Sequence, residues 1–387
     1  METATAGTQN KRDCTVDVSQ AASLKIEVDA SNKPLVERGI AEVARAVCEE
    51  LGLGKATIRV VDRGALDYVI AGRVEAALRT AFPKTFPIRP EVTRKATAQH
   101  RLRRTRLYVP GNNARLLLGV ELHDADCVIL DLEDSVPPSE KPTARILIKH
   151  LLASIDLREA WVRINPLTSY GMDDLREVLL GHPHGICLPK AETAGEVEKL
   201  SQELANLEGE YGIPQGSVHI MPIIETAAGV LHCEEIARTD ERITTLSFGA
   251  EDLTRDIAAK RTDDSLLFAR SMVVAGAKAS HVQASDTIYP NVEDEEGLIA
   301  ETKLIASLGF DGKGAINPRQ IAPIHSVFAP SEDELEEAKR IVAAAEEADR
   351  QGVGATTVGG KMIDKPVLER ARRTIQLAEL MDRSGEW

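Results

Sequence analysis

No run of about 18 apolar residues, the length a membrane-spanning helix requires, occurs anywhere in the chain, and its first residues, METATAGTQNKRD, hold no apolar stretch of the secretory kind. A soluble, cytoplasmic protein is the expectation. A basic tract is also missing. The 61 acidic and 47 basic side chains leave a formal net charge of −14, which disfavours a nucleic-acid backbone or an anionic membrane surface as partner. A small-molecule substrate fits better, and it can itself be anionic, because a pocket of arginines is locally positive even in an acidic protein. Cys14, Cys48, Cys127, Cys187 and Cys233 are odd in number, far apart and without a C-x-x-C pair. They read as reduced thiols, and the lack of any His/Cys grouping argues against zinc.

What is present divides into segments of different texture. Residues 1–90 read as a small α+β unit: SLKIEVDA and ATIRVVD have strand character, and helical spacing covers Leu35 to Leu51 and Gly64 to Ala81. Residues 91–104, rich in Arg and Lys, read as a linker. From 105 to 330 short apolar runs alternate with helical stretches, the signature of a parallel sheet wrapped by helices. There are eight such runs: RLYVPG, DCVILDLED, WVRINP, GICLPK, HIMPIIET, ITTLSFGAED, VQASDTIYP and GKGAINPRQ. Eight strands with eight crossovers predict a (β/α)8 TIM barrel, with an open doubly wound sheet as the competing topology. Residues 331–387 are an appendix of two helices, about Ser331 to Gln351 and Val367 to Met381, around the glycine-rich stretch GVGATTVGGKMIDKP, which reads as a helical lid.

The barrel runs turn polar at their C-terminal ends, supplying Asp131, Glu133, Asp134, Arg163, Asn165, Lys190, Glu225, Glu251, Asp252, Asp286, Asn317 and Arg319. In a barrel these ends converge on one mouth, the face that carries catalysis. Glu225 and Asp252 end the fifth and sixth runs and suit a hard cation such as Mg²⁺, which takes one or two protein carboxylates and is completed by substrate and water. Ion pairing of either acid with Arg163 or Lys190 is the alternative. The fork of Arg163 suits a substrate carboxylate or a developing oxyanion. Asp131, Glu133 and Asp134 are too many acids for one metal, so at least one is expected to hold a basic side chain in place.

The pieces RRTRLYVPGNN, CVILDLEDSV, VRIN, LPKAE, IETAAG, FGAEDL, INPRQ and GKMIDKPV, in this order over about residues 101–382, resemble the citrate lyase β-subunit and malyl-CoA lyase family of the HpcH/HpaI aldolase superfamily. The resemblance implies a Mg²⁺-dependent lyase that reversibly cleaves a 3-hydroxy-3-carboxyacyl-CoA, such as citramalyl-, malyl- or citryl-CoA, to a 2-oxo acid and an acyl-CoA. It implies metal binding by Glu225 and Asp252, oxygen stabilisation by Arg163, and proton transfer by Asp364 delivered from a neighbouring subunit, hence a homo-oligomer, a trimer or hexamer. Tyr108, Arg115, Ile316 and Asn317 correspond to substrate or coenzyme A positions, Asn317 replacing the family's commoner histidine. The first segment, through AGTQNKRDCTVDV, SLKIEVD and IRVVDRGALDYVIAGRVEAAL, resembles the acyl carrier (γ) subunit of citrate lyase. That carrier bears its prosthetic arm on the serine of A-G-T-x-x-S-G-D; here Lys11 occupies the serine position and lacks the hydroxyl the arm requires. A barrel acting on free acyl-CoA is therefore expected, with the lyase component of a citrate lyase complex as the alternative.

Overall fold

The computed structural model describes residues 3–31, 33–92, 97–98, 101–350, 356–358 and 361–383. The first unit comprises β1 (Ala4–Gly7), β2 (Cys14–Gln20), β3 (Lys25–Asp29), α1 (Pro34–Glu50), β4 (Ala56–Asp62) and α2 (Asp67–Ala81). Its sheet has the order β1-β2-β4-β3, with β3 parallel to β4 and the other pairs antiparallel. The β1-β2 hairpin is an addition to the elements read from sequence. β2 alternates buried Cys14, Val16 and Val18 with polar Thr15, Asp17 and Ser19, a period-2 pattern. β1 is four small residues, held as a strand by its pairing with β2.

The barrel strands are β5 (Thr105–Pro110), β6 (Cys127–Asp131), β7 (Ala160–Arg163), β8 (Gly185–Leu188), β9 (His219–Ile224), β10 (Thr245–Phe248), β11 (Gln283–Ile288) and β12 (Gly312–Ala315). Between and after them run α3 (Ala114–Leu117), α4 (Lys141–Ser154), α5 (Gly171–Val178), α6 (Ala194–Tyr211), α7 (Ala227–Arg238), α8 (Ala250–Asp256), α9 (Asp263–Ala279), α10 (Glu295–Leu308) and α11 (Ile321–Phe328). Each strand pairs in parallel with its sequence neighbour, and β12 closes on β5 with Lys313 opposite Thr105. Closure excludes the open sheet. Cys127, Ile129, Trp161, Cys187, Met221 and Ile223 fill the interior as a cluster separate from the strand–helix core. Gly185 makes room for the indole: a Cβ there would lie 2.3 Å from Trp161.

The barrel floor corrects the linker reading at its end. Arg103 and Arg104 are buried, Arg103 donating to Glu159 at 2.8 Å and Arg104 to Asp126 at 2.9 Å. The run of basic residues that suggested an exposed linker instead neutralises acids at the strand N-terminal ends, as buried charges require.

α2 packs along α4, Gly72 lying against Leu147. Beneath that contact Lys149 donates to Glu75 (2.7 Å) and Glu177 (2.8 Å), Arg79 donates to Glu177 (2.7 Å), and His150 Nε2 lies 2.6 Å from Glu75. The first unit is thus keyed to the barrel by buried ions as well as by apolar packing. After the barrel, α12 (Glu332–Arg350) opens with the expected capping box, Ser331 Oγ accepting from the Glu334 N–H at 3.2 Å and Glu334 accepting from the Ser331 N–H at 2.8 Å. The glycine-rich stretch contains a two-stranded hairpin, β13 (Thr356–Val358) and β14 (Lys361–Ile363), not anticipated from its composition. Residues 351–355 and 359–360 of that stretch lie outside the described residues. α13 (Lys365–Arg383) returns along α12, and Arg373 donates to Asp311 at 2.9 Å. Asp311 immediately precedes β12, so α13 is fastened on the side of the barrel away from the mouth. No helix among the described residues is long and apolar enough to cross a membrane.

Candidate active site

The strand C-terminal ends open into a cavity of about 340 Å³. Tyr108, Asp131, Asp134, Arg163, Glu225, Glu251, Asp252, Asp286 and Ile316 line it, joined by Leu116, Ser135, Phe248 and Thr287. Most of the polar strand ends do converge there, but they divide by what they touch.

Arg163 is fixed by the D-L-E-D segment. Its Nε and Nη2 donate to the two oxygens of Asp131 at 2.6 and 2.8 Å, and Nη1 lies 2.9 Å from Glu133. Asp131 also accepts from the Glu133 N–H, the Ser135 N–H and Ser135 Oγ. Burial alone would raise the Asp131 carboxyl, but the Arg163 guanidinium and these hydrogen bonds hold it below the usual range. It is the acid that holds the arginine in place. The guanidinium also lies 5.4 Å from the Tyr108 ring centroid, a cation–π contact that keeps it in plane across the lumen. Burial pushes the Tyr108 phenol well up, so it stays neutral at physiological pH.

The second cluster is short of positive charge. Lys190 Nζ lies 2.5 Å from Glu133, 3.7 Å from Asp252 and 3.9 Å from Glu225. Its own backbone is left-handed (φ 51), and its N–H donates to Glu225 at 2.9 Å. Strain of this kind is kept where a side chain must be aimed. Glu225 is buried against Gly249, where a Cβ would come within 2.6 Å of its carboxylate. Burial and the charges of Glu133 and Asp252, incompletely offset by Lys190, push the Glu225 carboxyl up to about 8. Glu133 also meets Arg163, and Asp252 pairs with Arg255, so Glu225, whose ammonium partner stands 3.9 Å away, is left with an electrostatic deficit of the kind a divalent cation corrects. The donors are hard oxygens, two at the cavity wall, and no three metal-ligating side chains cluster among the described residues. That set fits an ion such as Mg²⁺ that draws its remaining ligands from substrate and water.

Several expected members differ from the sequence reading in position or in partner. Asp252 lies not at the strand end but in the first turn of α8, where it also pairs with Arg255. Asp286, although it borders the cavity, is a structural acid, its oxygens held by Arg270 (3.0 Å) and Lys313 (2.8 Å). Asn165 donates to Asp174 and the Leu132 carbonyl, bracing the loop behind β7. Asn317 spends its carboxamide oxygen on the Arg319 N–H at 3.0 Å and does not line the cavity, although Ile316 beside it does. Arg115 is exposed on α3, outside the cavity wall, while its neighbour Leu116 faces in. Asp364 is exposed and caps α13 by accepting from the Val367 N–H at 3.0 Å; it is not part of its own chain's mouth. Ser135, after β6, and Thr287, within β11, carry no signal in the sequence, because a lone hydroxyl in or after a strand has no periodicity of its own. Only the closure of the sheet brings them to the wall.

Two family models and several known proteins match this chain. Residues 1–81 match the acyl carrier model described as malonate decarboxylase delta subunit. The citrate lyase subunit beta of Leuconostoc mesenteroides subsp. cremoris is 40% identical over 295 residues, covering 74% of this chain and 98% of its own. The human mitochondrial citramalyl-CoA lyase is 33% identical over 307 residues, covering 75% and 90%. Among solved structures, the CitE protein of Mycobacterium tuberculosis in complex with magnesium, acetoacetate and coenzyme A is 29% identical, with a TM-score of 0.58 over 73% of this chain and all of that one. Residues 104–318 match the model of the HpcH/HpaI aldolase/citrate lyase family, and the chain belongs to that family.

Proposed function

We infer that this protein is a Mg²⁺-dependent carbon–carbon lyase acting on a CoA-linked hydroxy acid, cleaving a 3-hydroxy-3-carboxyacyl-CoA reversibly to a 2-oxo acid and an acyl-CoA. The observation that carries the reading is the pairing of a cation-deficient carboxylate cluster with a rigidly held arginine at one mouth. Glu225 and Asp252 would hold the magnesium ion, which when bound supplies Lewis-acid polarisation of the substrate's carboxylate and its hydroxyl or oxo oxygen. Arg163, immobilised by Asp131, presents a fixed positive charge to the oxygen on which charge changes during cleavage. Tyr108 and Ile316 bound the space beside it. In the cleavage direction the C3 hydroxyl proton is lost as the C2–C3 bond breaks, and the bond's electron pair becomes the enolate of the acyl thioester. A proton returned to its α-carbon completes the acyl-CoA, so the hydroxyl proton lost is balanced by the α-carbon proton gained.

Asp364 is our candidate for moving the α-carbon proton. Its exposed position away from its own mouth and the fastening of α13 to Asp311 support delivery to the cavity of a second copy, in a homo-oligomer. The division into a carrier-like unit (1–90), barrel (105–330) and lid (331–387) is part of the same proposal. Lys11 at the arm position favours free acyl-CoA over a protein-tethered thioester. The 40% identity to a citrate lyase β subunit keeps one second reading, the citryl-thioester lyase component of a complex. Assay of the purified protein with Mg²⁺ and a panel of 3-hydroxyacyl-CoAs, following 2-oxo acid release, tests the first. Intact-mass analysis tests the second: a prosthetic arm on residues 1–25 would favour it, and the sequence mass alone is the expected result.

A further inference from the structure

The loop Gln9–Asp13, between β1 and β2, is where a carrier would bear its arm, and in this chain it is bolted to the barrel mouth. Asp13 and Arg73 are both buried, and Arg73 donates through Nε and Nη2 to the two Asp13 oxygens, each at 3.0 Å. The same Nη2 donates at 3.0 Å to the Asn112 carbonyl, in the loop that leaves β5. Pro110, two residues earlier, is cavity wall, and Asn113, one residue later, caps α3. Thr8 Oγ1 adds a hydrogen bond to Asp13 at 2.8 Å. Backbone bonds from the Arg12 N–H to the Arg63 carbonyl and from the Arg63 N–H to the Asp13 carbonyl, both 3.0 Å, tie the β4–α2 loop to the same place.

Four exposed cations gather at this junction, with the exposed acids Asp67 and Glu121 beyond them on α2 and after α3. Lys11, Arg12 and Arg63 on the first unit and Arg115 on α3 are all exposed, and none forms an ion pair with an acid among the described residues. Of the acids in these loops, Asp13 is neutralised by Arg73, while Asp62 and Glu140 are turned away from the cations by hydrogen bonds from the Ala65 N–H and the Asn112 carboxamide. Arg12 has φ 70, a conformation that glycine adopts freely and other residues adopt under strain. It stands at the glycine position of the carrier motif, next to Lys11 at the serine position. Both departures replace a small residue with a cation, one of them against backbone preference, in a protein whose net charge is −14. Strain kept at an exposed loop points to a function for the side chain.

We propose that Lys11, Arg12 and Arg63 of the first unit, set beside the already expected Arg115, form the subsite for the diphosphate and 3′-phosphate of the coenzyme A portion of the substrate, so that the former arm-bearing loop now grips the free thioester. The proposal rests on the acyl-CoA reading of the mouth. It assigns the fused unit a role in substrate affinity while leaving the bond-breaking groups to the barrel.

Isothermal titration of the full-length protein with free coenzyme A and with pantetheine, which lacks the nucleotide, separates this subsite from the mouth. The expected result is that Lys11→Glu/Arg12→Glu weakens coenzyme A binding by about tenfold or more, as two exposed ion pairs converted to repulsions should. Pantetheine binding stays at the wild-type value. Lys55→Glu, the same change at the far end of the unit, leaves both unaltered. The wild-type affinity for coenzyme A falls with added salt more steeply than that of the double variant. Unchanged coenzyme A affinity in the double variant overturns the subsite, and equal loss for pantetheine assigns the effect to a disturbed mouth and also overturns it. Lys11→Ala provides a milder variant should the double reversal lower the melting temperature. Turnover is read separately. A subsite effect without cleavage of any acyl-CoA leaves this inference standing and sinks the lyase reading; cleavage without a subsite effect does the reverse.

Discussion

Replacing Glu225 by glutamine should change the pH dependence of stability in a way that reports the charge deficit of the mouth. In the cation-free fold the Glu225 carboxyl sits at about 8, against an ordinary value of 4.5. A raised acid is stabilising when protonated. Its contribution is fully present below the unfolded value, and is lost as pH rises from there through about 8. The shift of roughly 3.5 units corresponds to a ceiling of about 5 kcal/mol, because one unit is about 1.4 kcal/mol. The nearby Lys190 ammonium and relaxation of the mouth reduce what is realised. At an unfolding entropy of about 2.1 cal/mol/K per residue over 387 residues, the full ceiling is a melting shift of about 6 °C, and half of it about 3 °C. Glu225→Gln keeps the shape and removes the titration. In EDTA the variant should therefore melt close to wild type at about pH 4, above it by roughly two-fifths of the full gap at about pH 6, and by nearly the full gap at about pH 9, where the wild-type carboxylate is charged. Millimolar Mg²⁺ should raise the wild-type melting temperature and leave the variant unmoved, since an ion that binds only the folded form stabilises by mass action. A gap that stays flat from pH 6 to 9, or an equal response of both proteins to Mg²⁺, would refute the placement of the cation at Glu225.

Two further outcomes test other levels of the structure. If Asp364 serves a neighbouring mouth, Glu225→Gln and Asp364→Asn are each inactive alone, yet co-refolded mixtures regain part of wild-type turnover, because some mouths then receive both intact residues; no recovery in assembled mixed oligomers would confine catalysis to one chain. At the junction of the two units, Lys149→Met leaves Glu75 and Glu177 without their shared buried ammonium. A loss of about 3 kcal/mol in urea unfolding is expected, the low end of the cost of stranding buried charge because Arg79 and His150 still meet these acids, and a loss below about 1 kcal/mol would show that the network is not what keys the units together.

What the sequence determined by itself was the framework. The eight runs became eight parallel strands, since a strand buried on both faces is mostly apolar and that run is visible without knowing its partners; β11 and β12, which pair buried Asp286 with Lys313, were legible by their place in the alternation. The capping box at Ser331 and Glu334 and the polar turn at each strand end were equally local, hence legible. So was the departure at Lys11, a question of residue identity.

The tertiary structure decided which polar ends do chemistry and which hold the scaffold. Asp131 and Asp286 look alike in sequence, each an acid in a strand. One aims Arg163 across the mouth; the other is sealed between Arg270 and Lys313. Arg103 and Arg104 read as linker charges until the floor supplied Glu159 and Asp126. Asn317 carried a site position in sequence but turns back on its own chain. The placement of the Lys11 loop against the β5 loop depends on Arg73, 60 residues from Asp13 and 39 from Asn112. The physical reason is common to these cases. Apolar periodicity is a property of one segment, whereas the role of a charge is set by the partner that neutralises it, and that partner is chosen only when the barrel closes.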